Sequence, residues 1–344
     1  MDPGGKAAAD AAFTNGILSV STMRWTVVLS LAAVLISLPA CNREQKVKIG
    51  VVPKGTNHIY WQTVHAGSIK AAREFGAEID WNAPALETDS SRQIEIVDAM
   101  INKQVSALVL APIDRKALVK PVERAAMMSI PVSIFDSAID SDKRVSYVAT
   151  DNREGGRMAA RRLYEVLGGK GKVAVIGFMP GSGSTMEREQ GFIDEIAKYP
   201  GMQMVGMQFG MADRARALAG AENLMTAHKD LAGFFADNES SSDGAVQALK
   251  QRNAKHIKLV AFDATEKLVK DLQDGWIDAL VVQNPFKMGY EATKAVLTKL
   301  RGEVPPATVD SGATLVKASD LQKPETKELL FPDIKQYLDT PVTH

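Results

Sequence analysis

The feature that most constrains this chain is a long alternation of two hydrophobic periods. Short apolar runs that read as strands recur, and each is followed by a segment whose apolar residues fall three or four apart. Val47–Val52 is such a run, followed by a helical pattern over Tyr60–Phe75 that Gly76 stops. Glu78–Trp81, Ala107–Ala111, Val132–Phe135 and Val145–Ala149 continue the strand series, with helices at Ser91–Lys103 and Leu118–Met128. A second series opens with a helix at Asp151–Leu167, where Asp151 and Glu154 have capping-box spacing. Strands at Lys172–Gly177, Met202–Gly206, Gly233–Ala236, Leu259–Phe262 and Ala279–Val282 follow. Their helices are Thr185–Lys198, Arg214–Ala227, Ser241–Gln251, Thr265–Asp274 and Phe286–Leu300, and Val309 and Ala313–Val316 read as final short strands.

This alternation predicts an α/β protein whose parallel sheets are covered on both faces, as the unbroken apolar strands ALVLA and LVAF require. The strands are too many for one small sheet. Two doubly wound lobes are expected, with a closed eight-stranded barrel as the structural alternative.

The first forty residues read as an address. Trp25–Leu38 is an uncharged run of 14 residues after Arg24, too short to span a bilayer comfortably and followed by Pro39-Ala40-Cys41. It resembles a bacterial lipoprotein signal, which implies cleavage before Cys41 and a lipid on its thiol. Residues 1–40 are thus read as leader and signal, 41–46 as lipidated cysteine and tether. Met23 is the expected true start, and Asn42 resembles the outer-membrane default of such lipoproteins.

Composition removes several functions. Lys plus Arg and Asp plus Glu are 41 each, so no global field favours nucleic acid. Cys41 is the only cysteine, which excludes an intrachain disulfide and a thiolate zinc site. The five histidines, at 58, 65, 228, 256 and 344, lack metal-ligand spacing, and no metal or cofactor is expected. GFMPGSGS (177–184) lacks the lysine of a phosphate-binding loop and reads as a turn into the next helix.

Ligands of open α/β sheets bind outside the carboxyl ends of the strands. Read in order, those ends carry Lys54, Asn57, His58, Tyr60, Trp61, Asp114, Asp136, Ser137, Glu187, Arg188, Asp237, Asn238, Glu239, Asp263, Gln283 and Asn284, of which Lys54 is given no role. Carboxylates, amides and a guanidinium pair with the hydroxyls of a polyol, and aromatic rings suit the apolar face of a sugar ring.

Ordered motifs extend this reading. They are KIGVV with Asn57-His58-x-Tyr60-Trp61, LVLAPID, IPVSIFD, VATDNREGG, EREQGF, GFFADNE, LVAFDAT and VVQNPFKMG. From about Val47 to about Lys317 the chain resembles the type I periplasmic sugar-binding proteins, close to the ribose-binding branch. The resemblance implies two lobes joined by three crossings, near Thr150–Asp151, Gln283–Asn284 and Asp310–Ser311. The N-terminal lobe is then 47–150 plus 284–310, and the C-terminal lobe 151–283 plus 311–344. It also implies a monomeric receptor that captures a monosaccharide or related polyol and presents it to an ABC permease. Tyr60 and Trp61 match the sugar-stacking pair, and His58 stands in place of a ligand-bonding asparagine. Asp136, Arg188, Asn238, Asp263 and Gln283 match hydrogen-bonding positions. Ala111, Ser137 and Ala212 replace an asparagine, an arginine and a third aromatic of the ribose pattern, so another sugar is expected, with Phe209 or Met211 as substitute wall.

The residues leave rivals. Asp263 also reads as a helix cap, and Arg188 as a surface partner of Glu187 or Glu189. A sensory receptor for chemotaxis or a sensor kinase shares the fold, and Asp136 with Asp263 could form a glycosidase pair. If Tyr60 and Trp61 only stack on ligand, Trp61→Ala abolishes binding with little loss of stability.

Overall fold

A computed structural model describes residues 46–56 and 58–338; the leader, Cys41, Asn57 and the last residues lie outside the described part. From Lys46 onward the chain forms one compact unit. In the first lobe the order is β1 (Lys48–Val52), α1 (Ile59–Phe75), β2 (Glu78–Trp81), α2 (Ser90–Asn102), β3 (Ala107–Leu110), α3 (Val119–Met127), β4 (Val132–Phe135) and β5 (Ser146–Ala149). The second contains α4 (Asn152–Val166), β6 (Gly171–Gly177), α5 (Gly183–Ile196), β7 (Met202–Phe209), α6 (Arg214–Ala227), β8 (Leu231–Ala236), α7 (Glu239–Gln251), β9 (Lys258–Phe262), α8 (Glu266–Gln273) and β10 (Ala279–Gln283). The chain then returns through α9 (Pro285–Leu300) and β11 (Thr308–Asp310), and crosses again to β12 (Ala313–Val316). Helices α10 (Pro324–Leu330) and α11 (Lys335–Leu338) finish the described part.

There are two six-stranded sheets, ordered β11-β5-β4-β3-β1-β2 and β12-β10-β9-β8-β6-β7. The orders superpose term by term, so β1 corresponds to β6 and β4 to β9. The first sheet is wholly parallel. In the second only β12 runs antiparallel, against β10. Strands buried on both faces, such as Ala107–Leu110 and Ala279–Gln283, explain the unbroken apolar runs.

The three crossings are stitched to one another. Asp310 Oδ1 accepts the N–H groups of Asp151 and Gly312, and Lys287 Nζ donates to the Asp310 carbonyl at 3.0 Å. This explains a departure from the expected capping box. Asp151 does accept the Glu154 N–H at 2.8 Å, but its own N–H is taken by Asp310, and the Glu154 carboxylate turns to Arg157 and Arg161.

Two further expectations change. Strand β7 runs on past Gly206 to Phe209, with a bulge that leaves Val205 between the partners Met204 and Gly206. The tail, expected with the C-terminal lobe to residue 344, ends its described part on the N-terminal lobe. There Arg73 donates to the carbonyls of Gln336 and Tyr337, and Tyr337 lies 5.4 Å from Phe286.

Close helix packing recurs in both lobes. A Cβ on Gly67 of α1 would lie 2.1 Å from the Phe286 carbonyl oxygen of α9, and one on Gly156 of α4 would lie 1.9 Å from that of Arg188 in α5. These contacts set the helices that carry Tyr60, Trp61 and Arg188. Gly156→Ala is therefore expected to lower stability by at least about 1–3 kcal/mol in urea unfolding, because the carbonyl belongs to backbone that cannot swing aside. An unchanged midpoint would mean that the two helices are not in such close contact.

Candidate ligand-binding site

The two sheets turn their carboxyl ends towards each other. Immediately after β4 comes Asp136, and immediately after the corresponding β9 comes Asp263. Both have left-handed backbones, with φ of 62° and 68°. Each donates its N–H across to the next strand, Asp136 to the Val148 carbonyl and Asp263 to that of Val281. Such a backbone is costly for a side-chain-bearing residue, and aspartate is among the few that tolerate it. The strain turns each carboxylate out of its sheet and towards the other lobe.

Between them lies a cavity of about 40 Å³. His58, Tyr60, Trp61, Asp136, Arg188, Asn238, Asp263 and Gln283 line it, so the structure brings together eight of the nine expected site residues. Ser137 is not among the lining residues. It is fully buried, and its Oγ donates to Asp136 Oδ2 at 3.1 Å and meets Ser184 Oγ at 2.8 Å.

Asp136 is the most heavily bonded carboxylate of the site. The Tyr60 hydroxyl donates to Oδ1 at 2.9 Å, and Lys54 Nζ lies 2.8 Å from Oδ2. Burial alone would raise the Asp136 pKa, but Lys54 and Arg188 outweigh it and hold the group below the usual carboxylate range. Tyr60 is pushed well above its ordinary value by burial and by the Asp136 charge. Across the cavity, Asp263 accepts from Gln283 Nε2 at 2.7 Å and from the Glu239 N–H at 3.0 Å. Burial raises its pKa. The cap of α8 is Thr265, which accepts the Leu268 N–H, so the capping alternative for Asp263 on its own helix does not hold.

Arg188 is 2% exposed, so it is no surface partner. Its Nε donates to Asn152 Oδ1 and its Nη1 to the Asp237 carbonyl, each at 2.8 Å, and the guanidinium lies 3.8 Å over the Phe262 ring. Glu187 pairs instead with Arg153. Asn238 caps α7 by accepting the Ser241 N–H at 3.1 Å. The turn through Gly181, with φ of 92°, starts the helix that carries Arg188.

Trp61 does more than line the cavity. It is 3% exposed, belongs to the core under the first sheet, and packs edge-on against Tyr60 and Phe135. Its Nε1 donates to Glu87 Oε1 at 2.6 Å. The expectation that its removal spares stability is therefore corrected.

Several lining residues were not singled out from sequence. Lys54 directly follows Pro53 at the end of β1, where a lysine ordinarily reads as solvated; here it is 4% exposed. Phe178, from the glycine-rich loop, lines the cavity and packs with Ile113 of the other lobe. It supplies an aromatic wall, the part for which Phe209 or Met211 was expected. Phe209 is 37% exposed, and Met211 packs against the Ile113–Phe178–Met179 cluster outside the cavity. Glu87 also lines it, as does Glu239, which stood among the strand ends without an assigned role.

The lobes touch directly. Lys54 Nζ reaches Ser182 Oγ and Ser184 Oγ at 3.5 and 3.3 Å, and the Arg115 N–H donates to the Gly181 carbonyl. His58 spans the cleft. Its Nδ1 lies 2.8 Å from Glu239 Oε1 of the second lobe, and its Nε2 lies 3.5 Å from Glu87 Oε1 of the first. Arg214 pairs with the same Glu239 oxygen.

Two α/β lobes closing over a cavity lined by acids and aromatics define a cleft-type solute-binding protein. Residues 49–303 match the periplasmic binding protein domain, and the chain belongs to that family. The ribose import binding protein of Bacillus subtilis (strain 168) is 30% identical over 299 residues, covering 83% of this chain and 96% of that protein. A carbohydrate-transporter solute-binding protein from Agrobacterium radiobacter, solved with D-arabinose, is 34% identical with a TM-score of 0.81, over 83% of this chain and 99% of that one. An ABC-transporter solute-binding protein from Agrobacterium vitis, bound to alpha-D-tagatopyranose, is 32% identical with a TM-score of 0.80, over the same shares.

Two outcomes follow for the site. Trp61→Ala should lose ligand and also about 3–5 kcal/mol of folding stability, read in one denaturant series with and without ligand; full stability would remove Trp61 from the core. Burial alone lowers the His58 pKa, but Glu239 and Glu87 outweigh it and raise the pKa. Opening takes Glu239 away, so a proton on His58 favours the closed form, and that advantage is lost as pH rises through the closed-form pKa. Affinity should fall with rising pH through the histidine range, and His58→Gln should flatten the profile; parallel profiles would refute the clasp.

Proposed function

We propose that this chain is a receptor that captures a neutral monosaccharide or related polyol between its lobes and delivers it to an ABC importer. The observation that carries this reading is the pair Asp136 and Asp263. They sit at corresponding strand ends of two lobes and face one small cavity walled by Tyr60, Trp61 and Phe178. A polyol donates hydroxyls to both carboxylates and accepts from Lys54 and Arg188. Ligand then bonds both lobes only when they are closed, and that differential affinity drives closure.

The relatives named above are a ribose import binding protein and solute-binding proteins of a carbohydrate transporter and an ABC transporter, which supports delivery to a permease. They also favour binding over catalysis and an extracytoplasmic place of work. Among the described residues no helix is long and apolar enough to cross a membrane. In this reading lipid on Cys41, which lies outside the described residues, attaches the receptor to a membrane, and the receptor acts as a monomer.

Thermal unfolding of residues 42–344 against D-ribose, D-arabinose, D-allose, D-tagatose, inositols and sugar alcohols tests the reading. A ligand at 100 times its Kd adds about 2.7 kcal/mol, enough to move the midpoint by several degrees. One hit recovered chemically unchanged supports a receptor, and turnover would support a hydrolase. Asp263→Ala should weaken the hit by about 10- to 150-fold, the range for a lost hydrogen bond to a charged group. A lowered midpoint with unchanged affinity would make Asp263 purely structural.

A further inference from the structure

Beneath the second lobe's wall lie two acids that the binding geometry does not use. Asp237 is the first residue after β8 and is wholly buried; Glu189, on α5, is nearly so. Asp237 is bonded on three sides. Its N–H donates to the Ile176 carbonyl, its Oδ2 accepts the Phe178 N–H at 3.1 Å, and its carbonyl accepts Arg188 Nη1 at 2.8 Å. Thus one residue holds both the aromatic and the cation that this lobe presents to the cavity. The remaining oxygens, Asp237 Oδ1 and Glu189 Oε1, are buried with no hydrogen-bond partner. Glu189 Oε1 also lies close against the end of β6, where a Cβ on Gly177 would come within 3.1 Å of it.

Resting on the receptor reading above, we propose that Glu189 and Asp237 share one proton, and that this acid pair is the positioning device for Phe178 and Arg188. Two neighbouring buried carboxylates cannot both ionise cheaply, and a single proton turns their repulsion into a hydrogen bond. Burial, and then the Asp237 charge, push Glu189 up to about 9, while burial pushes Asp237 up to about 7. The other groups facing the pair are Arg188, which draws both down, the Phe178 N–H, and Asp263, which raises Asp237. Removing the shared proton sets two charges against each other at the base of the loop that carries Phe178, and the wall shifts.

The test compares the parent chain with Glu189→Gln, Asp237→Asn and Glu189→Ala, using calorimetry with D-ribose, D-arabinose and D-allose at pH 7 and pH 10. Either amide replaces the shared proton with a permanent N–H. Both amide variants should stay within about three-fold of the parent at pH 7. The parent should lose about ten-fold more affinity than the amide variants between pH 7 and pH 10, and those variants should keep only the decline that His58 causes. Glu189→Ala should be at least about ten-fold weaker at both pH values. Amide variants that follow the parent at pH 10, or an alanine variant with parental affinity, would overturn the proposal.

If the parent binds none of these sugars, the proton can still be read from stability. The native pair binds more protons than the unfolded chain between the ordinary carboxylate range and about pH 9. Parent stability should therefore fall relative to Glu189→Gln as pH rises from 6 to 8.5. A constant difference would overturn the shared proton.

Discussion

The site depends on two aspartates forced into the left-handed backbone region at the same point of two repeated sheets. That conformation costs energy, and it is held because each residue's N–H is bonded to the next strand. It turns Asp136 and Asp263 towards each other across the cleft. The rest of the site answers the cost of burying them. Lys54, Tyr60 and Ser137 satisfy the first, Gln283 and the start of α7 satisfy the second, and Arg188 adds positive charge between them. The arrangement leaves a donor-and-acceptor-rich cavity whose charged groups already have partners, which suits hydroxyl groups.

The same economy governs closure. Among the described residues, the small cluster of Ile113, Phe178 and Met179 is a hydrophobic link between the lobes, and the hydrogen bonds and ion pairs named above join them through polar groups. Polar contacts between facing lobes exchange readily with water, so each is worth little by itself. A two-lobed receptor needs this balance, because a strongly closed empty form would exclude its ligand. The tail adds a fourth connection outside the matched family region. It is anchored by Leu329 and Leu330 on the second lobe and by Tyr337 on the first.

Most of the architecture was legible because strands buried on both faces are continuous apolar runs, and helices stop at recognisable residues. What was missed has local causes. Gly206 reads as a strand end, yet it continues an edge strand through a bulge against Leu224. Gly76, by contrast, is a true stop, with φ of 72° at the end of α1. The site positions that follow strands could be read in order, since the topology sends all those ends to one cleft. Lys54 was passed over because nothing local marks a lysine as buried; its burial depends on Asp136, far along the chain. Glu87 follows no strand end directly and is recruited by the Trp61 indole. Ser137 was expected at the ligand, but its hydroxyl turns to Asp136 and Ser184 rather than to the cavity.

Native mass spectrometry of the chain, equilibrated with an equimolar mixture of D-ribose, D-arabinose, D-allose and D-tagatose, tests the central claim most directly. The account predicts one neutral monosaccharide per chain, released unchanged on denaturation and lost in both Asp136→Ala and Asp263→Ala. An adduct that survives in both variants would contradict the paired-aspartate site. No adduct in the parent would contradict the choice of ligand.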